Sequence, residues 1–284
     1  MSDLNLIKEL REKTGAGFLD CKNALSENNN DIQLSVDSLR KKGLSKASKK
    51  SSREAKEGAV GFFNNDKISV ILKINSETDF SAKSDTFLNF LDLIGNIALN
   101  QNDPNLKLEN FLKIKENEKS VLDILTEMIA KIGENLIIND LKIFDNKDLN
   151  VNYYIHNPYR KNIGKIVSAV FFLSEDVNDD TIQFTKNLCM HIAASKPEAM
   201  DINQLSNEII ENEKKIQQEM IKDSGKPSNV MEKILEGKMK KFFSEVTLLN
   251  QSFVINPDQT IKEAINDFDS KNKFELKHYI LISL

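Results

Sequence analysis

The side chains able to do covalent or metal chemistry are few and scattered. His156, His191 and His278 are the only histidines, and Cys21 and Cys189 the only cysteines. None stands at metal-ligand spacing from another, so no metal site is expected. No Gly-rich segment ends in Gly-Lys-Ser/Thr, and Gly15-Ala16-Gly17 is a lone Gly-x-Gly with no strand before it. Direct nucleotide binding through a phosphate loop is therefore not expected. Serines and carboxylates abound, but nothing in their local sequence singles out a nucleophile and its base. The reading is a protein without catalytic residues, cofactor or covalent chemistry. What remains is recognition. In Ile74-Asn75-Ser76-Glu77-Thr78-Asp79-Phe80-Ser81 a bare aromatic stands beside a carboxylate in a polar run. An apolar tip on a loop yields binding energy only when a partner buries it. The alternative is that Phe80 caps the core of its own subdomain, and the spacing leaves both open.

The elements around that loop follow from periodicity. Val60 and Phe62 alternate before Asn64-Asn65-Asp66, and Ile68, Val70, Leu72 and Ile74 alternate after it, which predicts a hairpin. Ser84 or Asp85 then caps a helix with Phe87, Phe90, Leu91, Ile94, Ile97 and Ala98 on one face. A further helix is expected over about 120–135, with Val121, Leu125, Met128 and Ile132 on one side. The second half repeats the plan. Tyr153 and Ile155 suggest a strand, His156 to Lys161 a turn, Ile163 to Leu173 a second strand, and Asp179 or Asp180 opens a helix with Ile182, Phe184, Leu188 and Ile192. Two related α+β subdomains with small antiparallel sheets are expected.

Three short helices precede them. Leu6, Ile7 and Leu10 make one apolar stripe, and Phe18, Cys21, Ala24 and Leu25 a second. Ile32, Ser35, Val36 and Leu39 make a third, with Asp31 as N-cap. After Pro197, Ile202, Leu205, Ile209, Ile216 and Met220 recur at helical spacing. Asp223-Ser224-Gly225-Lys226-Pro227 reads as a turn, and Val230, Ile234, Met239 and Phe242 lie on a return helix. A projecting helical hairpin follows, its seam closed by its own arms or by a second copy in a homodimer. The expected division is 1–53 for the three-helix module and its basic linker and 54–142 for the first core subdomain. Residues 143–200 with 235–284 make the second, and 201–234 the hairpin.

Charge is uneven rather than extreme, with a net −4 over 284 residues. Arg40, Lys41, Lys42, Lys46, Lys49, Lys50, Arg53 and Lys56 face one acid, Glu54. No aromatics interleave with them, so the run reads as a solvated helical linker and no nucleic-acid partner is expected. Two distant cysteines argue against a disulfide framework. No apolar run is long enough to span a bilayer, and the first residues lack the layout of a signal peptide. A cytoplasmic protein with no membrane partner is the expectation.

Several segments, in order, are similar to one family. Leu10-Arg11-Glu12-Lys13-Thr14-Gly15-Ala16-Gly17 with Asp20-Cys21-Lys22 and Ala24-Leu25 resembles the amino-terminal signature of bacterial elongation factor Ts. Thr78-Asp79-Phe80 resembles its loop motif, and His191-Ile192-Ala193-Ala194-Ser195-Lys196-Pro197 its second-core helix. Lys226-Pro227, Glu232-Lys233-Ile234, Glu236-Gly237-Lys238-Met239 and Leu248-Leu249-Asn250-Gln251 resemble its late segment. The resemblance implies a ubiquitin-associated-type three-helix module ahead of the α+β core. It implies a nucleotide exchange factor that speeds GDP release from elongation factor Tu and holds the nucleotide-free form. Phe80 would then insert near the partner's Mg2+ site, with Asp79 beside it and Thr78 and Ser81 shaping the turn. Gly15, Gly17, Phe18, Leu19 and Lys22 would supply a second contact, and His191 a lesser one. The chain departs from the family pattern at Ser81, where Val is usual, and at Lys238 and Ser252. It departs again in the His156-Asn157-Pro158-Tyr159-Arg160 turn, and it reaches Leu284 without a long carboxy-terminal tail.

Overall fold

The computed structural model describes residues 3–14, 16–222 and 227–284. It divides into two units, Met1–Lys147 with Asn157–Lys165 and Ile282–Leu284, and Asp148–His156 with Ile166–Leu281.

The first unit opens with α1 (Asp3–Thr14), α2 (Phe18–Glu27) and α3 (Ile32–Lys50). Ile7, Leu10, Cys21, Ala24 and Leu25 form their small core, with Val36 and Leu39 packed against it. Asp31 caps α3 by accepting from the Leu34 N–H at 2.8 Å. Phe18 leaves the expected stripe: as the first residue of α2, after the N-cap Gly17, it is 44% exposed. Most of the basic run is the second half of α3 itself. Arg40 pairs with Asp123, Lys42 with Glu27, Arg53 with Glu77 and Lys56 with Glu54, and Lys50 donates to the Gly133 carbonyl.

Strands β1 (Glu57–Asn64) and β2 (Ile68–Ser76) form the expected hairpin, antiparallel from Glu57↔Ser76 to Asn64↔Ser69. Both faces of the pair are buried, so alternation alone understated its burial. The one-turn helix α4 (Asp79–Ala82) follows, then α5 (Asp85–Asn100), whose six expected apolar positions are all buried. The rest comprises α6 (Leu108–Phe111), a two-residue pair β3 (Lys115–Glu116) and β4 (Lys119–Ser120), α7 (Val121–Ile132) and β5 (Leu136–Asp145). Strand β5 pairs antiparallel with β2 along its length. Two glycines make the core close. The Phe63 ring lies against Gly61 and Gly95, where an added Cβ would fall 2.7 and 2.1 Å from it.

Strands β6 (Asn150–Arg160) and β7 (Ile163–Ser174) each have residues in both units. The expected turn over 156–161 shrinks to two residues, and β6 continues to Arg160. Within the first unit the Arg160 guanidinium donates to Asp92 at 2.8 Å and Asp85 at 3.1 Å, and Asn162 donates to Asp92, which holds the chain extended there.

The second unit adds α8 (Asp179–Ser195), α9 (Asn207–Lys222), α10 (Ser228–Val246), β8 (Ser252–Phe253), β9 (Asn256–Thr260), α11 (Ile261–Asn272) and β10 (Phe274–Ser283), whose last two residues belong to the first unit. Asp179 opens α8 as expected, and Asn178 before it is the N-cap. Ile182 is exposed. Buried Thr181 and Thr185 take the inner face, with hydroxyls that donate to the Asp176 and Thr181 carbonyls. Val170, Leu188, Ile192, Phe253 and Phe274 build the core, with Phe184 stacked on Phe268 at 4.2 Å. Helices α9 and α10 are the expected arms, although Ile202 and Leu205 fall in a separate short turn before α9. The turn at 223–226 lies outside the described residues. Among the described residues no helix is long and apolar enough to cross a membrane.

Candidate functional site

The Phe80 turn is built from local polar bonds. Thr78 is extended (φ −126°, ψ 153°), and its hydroxyl accepts from the Ser81 N–H at 3.2 Å, capping α4. Ser76 donates to the Thr78 carbonyl at 3.0 Å. Ser84 donates to the Ser81 carbonyl at 2.8 Å and also caps α5 by accepting from the Phe87 N–H. Ser81 and Ala82 point inward and are buried. Phe80, between them and Asp79, is 87% exposed. An exposed Phe forgoes the burial that makes such a ring favourable, about 1.5–3 kcal/mol. Its own core does not take it.

Asp79 pairs with Lys83 at 2.8 Å across one turn, both side chains about half exposed. The Lys83 ammonium, bonded to it, holds the carboxyl below the usual range. Asp79 is therefore a solvated anion beside a solvated ring. Thr78 is also held from outside. Its N–H and hydroxyl both donate to the Glu134 carboxylate, at 3.1 and 2.7 Å.

The other expected residues lie elsewhere. Gly15 is outside the described residues. Gly17, Phe18, Leu19 and Lys22 are exposed at the start of α2, with Leu19 at 70%. Phe18 also lines a shallow groove with Leu4, Ile7, Arg11 and Ala16. His191 belongs to the second unit and is fully buried. Its Nε2 faces the Gln251 Oε1 at 2.9 Å, and its Nδ1 accepts from the Val254 N–H at 3.2 Å. This fixes a neutral ring with the proton on Nε2, and burial pushes its pKa down. His191 thus holds the β8–β9 hairpin, whose Val254 and Ile255 are about half exposed. Neither that apolar pair nor Glu134 is among the residues expected from the sequence. The run Phe253-Val254-Ile255 before Asn256-Pro257 was a readable signal for the pair. Glu134 had none, since its contact with Thr78 comes from the fold. Among the described residues no group of three His, Cys, Asp or Glu side chains could hold a metal ion.

The described residues thus combine a helical amino-terminal module with an α+β core, and leave apolar side chains such as Leu19 and Phe80 on the surface. The family model for elongation factor TS matches residues 77–284. An elongation factor Ts from Rhizobium meliloti is 39% identical over 262 residues, covering 92% of this chain and 85% of the relative. The corresponding proteins of Bartonella henselae and Paracoccus denitrificans are 40% and 41% identical over the same length. The chain belongs to the elongation factor Ts family.

Proposed function

We propose that the protein is a guanine nucleotide exchange factor for elongation factor Tu in translation elongation. It works in the cytoplasm without covalent chemistry and without a cofactor of its own. The GDP and Mg2+ concerned belong to the partner. A nanomolar nucleotide is held by about 12 kcal/mol, and its Mg2+ demands near-octahedral oxygen ligation. In this reading Phe80 enters the partner beside that ion and Asp79 competes in its polar network. The loss of GDP is thereby divided into smaller steps. The observation that carries the reading is Phe80, 87% exposed on a turn with buried anchors on its far side.

Gly15, Gly17, Phe18, Leu19 and Lys22 provide the second contact, with residues 1–53 as the docking module. Cores at 54–142 and 143–200 with 235–284, and a hairpin at 201–234, complete the functional division. His191, being buried, supports the partner-facing surface from below. Coupling is reciprocal: if the factor weakens GDP, GDP weakens the factor by the same ratio. The complex is then tightest without nucleotide. On the hairpin, Ile209, Ile216, Met220 and Val230 are exposed and are the residues through which a second copy would pair.

The test is release of a fluorescent GDP from elongation factor Tu. Faster release on adding the protein supports the reading, and release at the spontaneous rate sinks it.

A further inference from the structure

We propose that Glu134 is the positioning residue of the Phe80 turn, an inference that rests on the exchange reading above. A four-residue helix cannot hold itself, since nucleation costs more than one turn returns. Helix α4 therefore needs an outside brace. Glu134 supplies one by accepting both donors of the cap residue, the Thr78 N–H and hydroxyl. The second bond also orients the cap. With its proton committed to Glu134, the Thr78 hydroxyl presents a lone pair to the Ser81 N–H.

The brace is itself anchored. Helix α7 stops at Gly133, which is left-handed at φ +87°, and this turns the chain toward the cap. The next residue, Asn135, is buried. Its N–H donates to Glu77 at 2.6 Å, and its side chain donates to the Arg53 carbonyl at 2.7 Å. Arg53 faces Glu77 at 3.5 Å, and Lys50 donates to Gly133. The end of α7, the segment after α3 and the residues flanking Thr78 thus form one connected polar network. Glu134 is its link to the cap. In this account Glu134 fixes where Phe80 stands before the partner arrives, which lowers the ordering cost of binding.

Glu134→Ala tests this in two measurements, with Glu134→Gln as the volume-preserving alternative if the first variant does not fold. In the free protein, amide hydrogen exchange at Ser81, Ala82 and Lys83 is expected to rise about tenfold, with the amides of α5 unchanged. Stimulated GDP release is expected to fall about fivefold. Equal protection of those three amides in variant and parent overturns the brace. So does faster exchange throughout α5, which would mark general destabilisation. Freed amides with undiminished GDP release overturn the positioning role. If the unaltered protein does not stimulate release while the variant's amides are freed, the exchange reading falls and the brace stands.

Discussion

Ser81 is where this chain carries a conflict at the scale of one side chain. Its backbone closes the Phe80 turn, but its buried Oγ has no hydrogen-bond partner among the described residues. Such a hydroxyl costs about 1–3 kcal/mol. Replacing it with Val removes the polar atom at a small cost in helix propensity. Ser81→Val is expected to gain about 1 kcal/mol in a denaturant titration, with GDP release unchanged. His191, buried, and His278, partly buried, set a pH dependence. Burial depresses both His191 and His278. As pH falls from about 6.5, the unfolded chain takes up their protons while the folded chain does not. Stability is therefore full above that value and declines toward pH 5. The depressed carboxyls of Asp79, Asp123 and Glu263 release their contribution only at more acid pH, so they do not mask the effect. His191→Gln should flatten part of the decline in thermal scans between pH 7 and 5. An equal slope in parent and variant would assign it elsewhere. The exposure of Phe80 was half legible in the sequence: its position off any periodic face showed, while the inward turn of Ser81 and Ala82 that strands it did not.

Among the elements, α5 shows packing overriding propensity. Gly95 sits mid-helix, where Ala would ordinarily gain about 1 kcal/mol. Here a Cβ would come within 2.1 Å of the buried Phe63 ring, which Gly61 confines from another side. Overpacking of this kind costs about 1–3 kcal/mol. Gly95→Ala should therefore lower the denaturant midpoint, and a raised midpoint would show that the ring can move. At the start of α7, Ser120 and Asp123 form a capping box, and Asp123 also holds Arg40 of α3 at 2.8 Å. Ser120→Ala is expected to cost about 1 kcal/mol. Helices and hairpins with strong periodicity were readable: the α5 face, the β1–β2 hairpin and the cap at Asp31. Strand β5 was not, because the pattern of Leu136–Asp145 is broken by Asn139 and Asp140 and the strand exists by pairing with β2. The expected second-core turn gives way to strand: Asn157 and Pro158 favour a turn locally, but Arg160 is held by carboxylates on α5. Ile182 and Thr185 exchanged places for a similar reason. A buried threonine in a helix satisfies its hydroxyl on the preceding turn, and hydrophobicity alone does not register that.

For the whole molecule, chain-wide family membership and the repeated strand–turn–strand–helix plan were legible in the sequence. The residues that serve a site from a distance were not. Glu134 reaches Thr78, and His191 reaches Val254, only once the chain has folded. The hairpin arms α9 and α10 bury little beyond Ile221 and Met239, leaving Ile216 and Met220 at 49% and 67% exposure. Ile216→Asp with Met220→Glu should lower any self-association in sedimentation while leaving GDP release intact. Loss of release in that variant would tie the hairpin to exchange. The proposed exchange mechanism turns on Phe80. Its most direct test compares fluorescent GDP release from elongation factor Tu with the protein and with Phe80→Ala. At 87% exposure the ring contributes little to the fold, so the variant should unfold within about 0.5 kcal/mol of the parent. Its stimulation of GDP release should fall at least about tenfold, the equivalent of one buried ring. Equal stimulation by variant and parent would contradict the account.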